Sequence, residues 1–446
     1  VTPQAPEPRR QSPSASGTRP QPPRTSGTGP ASASTPRPPA SLDGTDPIPK
    51  PRTDPTPTQV FPLPHRDGLD PIPEFADLRR DAPCTRIRLP SGDRAWLVTR
   101  YADVRLVLGD PRFSRTRATR GSGPRMADVP TLADSILAAD PPVHTRLRKL
   151  VAAAFTARRA EAMRRDIARL VGDLLDTVIA HDRPADLVPL FARPLPLAVI
   201  CDLLGTPRHD GDRLDAWCDA LRSLTAIPDA AVTHAVGEMT GYMAGLIADK
   251  RRRPADDMLS VLIAARDDED RLTEDELVSF CVVLLAGGYG TTSDRLSGMI
   301  HLLLAAPERY RHIRDNPEAI PTAIEELLRY AQTNIQANLR VATEPLTLAG
   351  VDIAEGDAVM AINSSANHDE SVFDTPEQLD LTRNPNPHLG FGHGVHHCVG
   401  AQLARVQLQE ALTALTRRFP TLRSAAPATW KSGLKTRAPR TLPVTW

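Results

Sequence analysis

The stretch Phe391-Gly392-His393-Gly394-Val395-His396-His397-Cys398-Val399-Gly400 decides how the rest of the chain is read. Two glycines before the cysteine permit a tight loop with positive φ and bring backbone N–H groups near the sulfur. A helical pattern follows Cys398, and the positive end of its dipole favours a thiolate. A soft anionic sulfur on a rigid loop is what an axial iron ligand requires. Other chemistries stay open on these residues alone. His393, His396, His397 and Cys398 are all zinc-ligand types, although ligands this close in the chain do not easily close a tetrahedron. A nucleophilic cysteine with a histidine base would need an orienting acid and an oxyanion hole, which nothing nearby supplies. An inert buried cysteine is the ordinary state of a lone Cys, and the flanking glycines argue against it.

The segment resembles the cytochrome P450 haem-binding signature, Phe-Gly-x-Gly-x-His-x-Cys-x-Gly, at every fixed position. The resemblance implies a mainly α single-domain fold with a small β portion, haem b as cofactor and Cys398 as its metal ligand. It also implies that Phe391 packs beside the sulfur, that His396 reaches a propionate, and that Gly400, Ala286 and Gly287 border the cofactor. Glu326-Leu327-Leu328-Arg329 resembles the family's Glu-x-x-Arg pair, which locks its helix onto the meander before the cysteine loop. Residues three apart share a helix face, so the carboxylate and guanidinium can act together; an ordinary exposed pair at this spacing contributes little. Asp140-Pro141-Pro142-Val143-His144-Thr145-Arg146-Leu147-Arg148 resembles the start of the helix crossing near the haem. The resemblance assigns His144, Arg148 and Arg340 to the propionates, where cations make strong charge-assisted bonds. Asn367 and the run through Phe373 towards Pro387 resemble the meander, and the likeness spans roughly residues 70–420.

One position departs from the pattern. Leu284-Leu285-Ala286-Gly287-Gly288-Tyr289-Gly290-Thr291-Thr292 lies inside a long helical pattern, where each glycine costs about 1 kcal/mol relative to alanine. Bare backbone there lets a helix run close over a flat cofactor; close helix packing is the other reading. Thr291 matches the family's oxygen-activating threonine, with Thr292 beside it, but the usual acid before it is Gly290. Splitting dioxygen with water as leaving group needs two protons delivered on this side. Three supplies are expected: water held by Thr291 and Thr292, Asp294 in place of the acid (unless it sits on the surface), or hydroxyls of the substrate.

Composition bounds the rest. The 446 residues are 40% hydrophobic and 24% charged, a globular profile, and the zero formal charge gives no bulk case for nucleic acid or an anionic membrane. Five scattered cysteines suit a reducing compartment rather than a disulfide framework. No eighteen-residue apolar run or signal peptide is read, so the expected location is cytoplasmic; the expected state is a monomer. About a third of the 45 prolines fall in residues 1–60, read as a disordered leader before a domain at 61–446. That leader is either a docking tail or a dispensable segment. Strands are expected at Thr85–Leu89 and Ala95–Thr99 around a Pro90–Asp93 turn, with more over 336–362. Helices are expected at Val143–Phe155, Arg158–Ala180, Val188–Leu204, Asp229–Arg252, Thr273–Ala305 and 399–419.

The expected activity is insertion of one oxygen atom from O2 into a C–H or C=C bond of a small organic substrate of specialised metabolism. Reducing equivalents from NAD(P)H would come through a separate ferredoxin and its reductase, since the chain carries no flavin or iron–sulfur segment. Arg146, Lys149 and Arg405 could form the docking patch or be solvated charges. The substrate would be lined by the loop 112–135, Leu221–Leu224, Tyr289 and the polar stretch 333–338, including Asn334 and Gln336. Gly290 also keeps a second function in view: peroxide-driven chemistry, isomerisation or a recruitment role.

Overall fold

Alternation of apolar side chains around a tight turn starts the sheet. In a computed structural model, Cys84–Arg88 (β2) and Arg94–Val98 (β3) pair antiparallel, Cys84 opposite Val98. Leu89 N–H donates to Asp93 O at 2.8 Å across the turn, and Gly92 takes φ of +90°. The structure describes residues 59–446 except 64–66, 121–123, 125, 127–134, 153–154, 268–271, 332 and 334–338. Residues 1–58, nearly all of the expected leader, lie outside this range, as do Asn334 and Gln336. Residues 59 and 60, assigned by sequence to the leader, form an edge strand (β1) parallel to β2. The sheet is completed by Phe113–Ser114 (β4), Leu339–Ala342 (β5) and Ala358–Ala361 (β6), in the order β1-β2-β3-β6-β5-β4. Pairing of Ser114 with Val341 brings the chain after β4 alongside Arg340 of β5.

Helices form the bulk of the protein. Six position the site: Tyr101–Gly109 (α1), Val143–Ala152 (α2), Gly211–Leu221 (α3), Glu274–Leu304 (α4), Ile320–Tyr330 (α5) and Ala401–Arg418 (α6). The mainly α expectation with a small β portion holds, and residues 56–446 form one unit. Helix α4 starts as its sequence demands: Thr273 Oγ1 accepts from Glu276 N–H at 3.1 Å while Glu276 accepts from Thr273 N–H at 2.9 Å. Leu296, Met299, Ile300 and Leu303 of α4 pack with Ile324 and Leu327 of α5 and Leu408, Ala411, Leu412 and Leu415 of α6. Among the described residues α4 is the helix long and apolar enough to cross a membrane, and 67% of that window is buried inside the fold. Its apolarity is that of a core helix.

Two expected helices are broken. Arg158–Ala180 divides at Met163 into Ala157–Ala162 and Arg164–Ala180. Val188–Leu204 opens as a π-turn over Val188–Ala192 before Pro194–Leu204 continues as α-helix. Pro194 has no N–H to donate, and Arg193 N–H reaches back five residues to Val188 O at 3.0 Å. The periodicity survives because both pieces keep one face towards the same core.

Helix α5 carries a fully buried ion pair. Arg329 and Glu326 are each 0% exposed. The guanidinium meets the carboxylate through Nε and Nη2, both at 2.7 Å. Its remaining N–H groups reach Asn367 O and Pro376 O at 2.8 Å and Gln378 O at 3.0 Å, so all five donors are used. Glu326 also accepts from Asp380 N–H, Arg383 Nε and Asn386 Nδ2 at 3.0, 3.1 and 3.0 Å. Asn367 Oδ1 then takes Leu389 N–H at 2.7 Å, two residues before the cysteine loop. Replacing one partner of such a buried pair strands the other. Arg329→Lys keeps the charge but not the fork, and we expect a loss of about 3–5 kcal/mol in urea unfolding. Arg169→Lys, in an exposed pair at the same spacing, should leave the midpoint unchanged.

Candidate functional site

The cysteine loop is braced from behind. Cys398 N–H donates to Phe391 O at 2.9 Å and His397 N–H to Gly394 O at 3.0 Å. Gly394 has φ of +70°, and a Cβ there would lie 2.5 Å from Leu108 O, so the loop presses directly on the end of α1. Glu325 accepts from Arg405 Nε and Nη2 at 2.7 Å each and meets His388 Nε2 at 3.0 Å. The Arg405 guanidinium in turn lies 4.6 Å over the Phe391 ring. Sequence reading found Glu326 and missed its neighbour Glu325, because no periodic pattern reports a contact with residues 63 and 80 positions away. Arg405 is thus spent on the loop rather than on a docking patch. Arg146 pairs with Glu276, and only Lys149 of the three expected cations is exposed with no ion pair among the described residues.

Gly400 caps α6. Burial pushes the Cys398 thiol above its ordinary range, while the Gly400 N–H and the cations Arg148 and Arg405 act the other way. The polypeptide alone keeps a thiol there, and a metal cation at the sulfur is what turns it into a thiolate. Protein surrounds Cys398 almost completely, yet its side chain is exposed, so it faces an interior space.

Beside that space lies a concentration of positive charge. The His144 and His396 rings meet at a tilt of 56°, centroids 4.3 Å apart, and among the described residues the buried His396 Nε2 has no partner. Arg340 is 3% exposed; among the described residues its Nη atoms reach only Phe113 O and Leu108 O, at 3.1 and 3.3 Å, and its Nε has no partner. Burial lowers Arg340 to about 10, which leaves it cationic at neutral pH. Burial, then Arg340, His144, Arg115 and Arg148, hold His396 down to about 2, so it is a neutral N–H donor. Arg115, which the sequence did not single out, arrives through the β4–β5 pairing and bonds Leu137 O and Leu339 O. Among the described residues the carboxylate acting on these groups is Asp140, itself held by Ser114 and the Arg115 and Thr116 N–H groups. Three guanidinium groups, Arg115, Arg148 and Arg340, against one carboxylate leave two positive charges. That is the charge the two propionates of a haem neutralise, so the donor set fits this cofactor with Cys398 as its axial ligand.

The three glycines at 287, 288 and 290 of α4 have three different reasons. A Cβ on Gly287 would meet nothing within 4 Å, and Gly287 and Thr291, one turn apart, are both exposed towards open space. Thr291 Oγ1 donates to Gly287 O at 2.7 Å. Ala286 is half-buried beside it, and Thr292 is buried at 7% exposure, so Thr291 is the threonine on the open face. A Cβ on Gly288 would lie 2.8 Å from Ile200 Cδ1, which is close helix packing. A Cβ on Gly290 would collide with the Arg222 guanidinium.

Two expectations on this helix are corrected. Asp294 is 1% exposed rather than at the surface, and accepts from Arg222 at 2.9 Å, Lys431 at 2.8 Å and Thr436 at 2.7 Å. Burial would raise its carboxyl, but Lys431 and Arg222 outweigh that and hold it below its ordinary range. An ionised carboxylate pinned by three donors has no proton to give, which removes it as a replacement acid. Tyr289 does not line the open face either. It is 1% exposed, its hydroxyl donates to Asp215 and accepts from Arg193 at 3.2 Å, and its ring belongs to the core beneath.

A family model described as Cytochrome P450 matches residues 75–423. The Nocardicin C N-oxygenase of Nocardia uniformis subsp. tsuyamanensis is 46% identical over 88% of this chain and 99% of its own length. The Mycinamicin IV hydroxylase/epoxidase of Micromonospora griseorubida is 43% identical over 87% and 98%. Among solved structures, that of HinD with NMFT and NO superposes with a TM-score of 0.85 at 45% identity, over 88% of this chain and 100% of that one.

The brace behind the loop carries a pH signature. Burial would raise Glu325, but its bonds from Arg405 and His388 dominate and lower it from 4.5 to about 2. A carboxyl depressed in the folded state stabilises fully above its unfolded value and loses that contribution as pH falls towards about 2. Glu325→Gln removes the titration. The stability advantage of the unaltered protein over the variant, measured by urea unfolding, should shrink by about 2–3 kcal/mol between pH 6 and pH 2.

Proposed function

This chain belongs to the cytochrome P450 family, and we propose that it oxidises a polyfunctional intermediate of specialised metabolism, with electrons from a separate ferredoxin and its reductase in the cytoplasm. As a haem-thiolate monooxygenase it uses haem b, O2 and reducing equivalents from NAD(P)H. The relatives named Mycinamicin IV hydroxylase/epoxidase and Nocardicin C N-oxygenase support the substrate class, since each name specifies oxygen transfer to one named compound. The observation carrying the reading is the pairing of Cys398 with an excess of two cationic charges beside it.

Bound haem supplies the activation of dioxygen; the chain supplies position and proton control. Cys398 would hold the iron, and His144, Arg148, Arg340, His396 and Arg115 would hold the propionates. Thr291 keeps its hydroxyl proton on Gly287 O, which leaves its oxygen lone pairs to accept from water or from a substrate hydroxyl. With Asp294 ionised and pinned, protons reach Thr291 through that water or substrate. Lys149, exposed in the surface hollow that it lines with Pro141, Pro142, Thr145, Arg146 and Leu150, is the expected docking point for the electron donor.

Reduced protein exposed to carbon monoxide should give the thiolate-type difference spectrum, and ferredoxin-driven product formation should exceed peroxide-driven formation. The reverse order of activity would favour the peroxide-driven alternative. Thr291→Ala should keep consuming reductant while product per reductant falls about tenfold or more.

A further inference from the structure

Position 290 is not an empty place beside Thr291. A side chain there would run into Arg222 Nη1 and Cζ and lie 2.7 Å from its Nη2. The guanidinium, from the residue that ends α3, therefore lies against the bare backbone of α4, 8% exposed. It is fixed by Asp294 at 2.9 Å, by Asp219, and by Cys218 O at 3.3 Å. Asp294 gathers a second element through Lys431 Nζ and Thr436 Oγ1, both on the C-terminal segment.

The backbone of that segment binds the chain after α3 directly. Lys435 N–H donates to Arg222 O at 2.8 Å, and Ser223 bridges Leu434. Gly433 O accepts from the N–H groups of Leu224, Thr225 and Ala226 at 2.7, 3.0 and 3.1 Å. Lys435 Nζ adds a bond to Leu221 O at 3.0 Å. One buried carboxylate thus joins α4, the end of α3 and the C-terminal segment within one turn of Thr291.

We propose that Arg222 and Asp294 are positioning residues that determine substrate specificity: glycine at 290 seats the Arg222 guanidinium, and its ion pair with Asp294 closes the end of α3 and the C-terminal segment over the cavity beside Thr291. Substrate enters when this latch opens, and the height of the closed roof selects what fits. Arginine stays protonated at neutral pH, so the pair positions the roof and does not relay protons. An acid placed at 290 would collide with Arg222 or draw it away from Asp294, which is why the carboxylate serving this arginine stands one turn further along. The proposal rests on the cavity beside Thr291 being the substrate site.

The test uses full-length ferric holoprotein, with 4-phenylimidazole as the entering probe and amide exchange as a second readout. Gly290→Ala improves helix propensity, so any loss reflects the displaced guanidinium. We expect Gly290→Ala and Asp294→Asn each to lower exchange protection in 219–227 and 430–437, and to raise probe association and dissociation rates about tenfold. In an Arg222→Ala background, Gly290→Ala should add less than about twofold. Should Asp294→Asn fail to fold, the Gly290 and Arg222 pair of variants decides alone. Unchanged exchange and rates in Gly290→Ala, or an equal effect of that substitution with and without Arg222, overturns the proposal. Loss of the thiolate-type spectrum in the unaltered protein would instead strike the monooxygenase assignment, and the two failures are read separately.

Discussion

Everything on the cysteine side hangs on the buried pair of Glu326 and Arg329. Two charges taken out of water cost several kcal/mol unless their bonding is complete, and here it is complete on both partners. Arg329 spends its five donors on Glu326 and three meander carbonyls, while Glu326 collects the meander's N–H, guanidinium and amide groups. The result is a rigid joint between α5 and residues 367–386. Asn367 passes that rigidity to Leu389, and the loop from Phe391 to Cys398 then has little freedom left. The direction of one sulfur is thus set by an ion pair about seventy residues earlier in the chain.

The cofactor edge and the opposite wall solve the problem of buried charge in opposite ways. At the edge, Arg115, Arg148 and Arg340 exceed the one carboxylate among the described residues that acts on them, and His396 has no partner there for its Nε2. Such an arrangement is tolerable only with an anionic ligand to complete it. On the wall beside Thr291, Asp294 answers Arg222 and Lys431, with Asp219 on the outer side. That group is self-sufficient, so it can hold the roof whether or not a ligand is present.

Local signals were legible wherever the interaction is local. The Thr273–Glu276 cap, the Asp229–Arg252 helix, and the turn before β3 follow from neighbouring residues, and the structure keeps them. Helix continuity failed at Pro194, which has no N–H for the ladder, and at Met163, which separates two helices. Tyr289 was misread because position on a helix does not say which face meets the cavity. Arg115 and Glu325 carried no signal at all, since each acquires its role from a strand pairing or a helix contact far away in the chain.

The sequence by itself determined the chemistry: a cysteine in a glycine-bearing loop, the Glu326–Arg329 pair, the donor residues His144, Arg148 and Arg340, and a threonine on a glycine-broken helix. These are patterns of spacing of a few residues, and spacing of that kind is written directly in the chain. Only the tertiary structure decided what Gly290 is for. Its reason is a guanidinium 68 positions earlier, held by a carboxylate 72 positions from that arginine, and no periodicity reports the meeting of side chains brought together by packing.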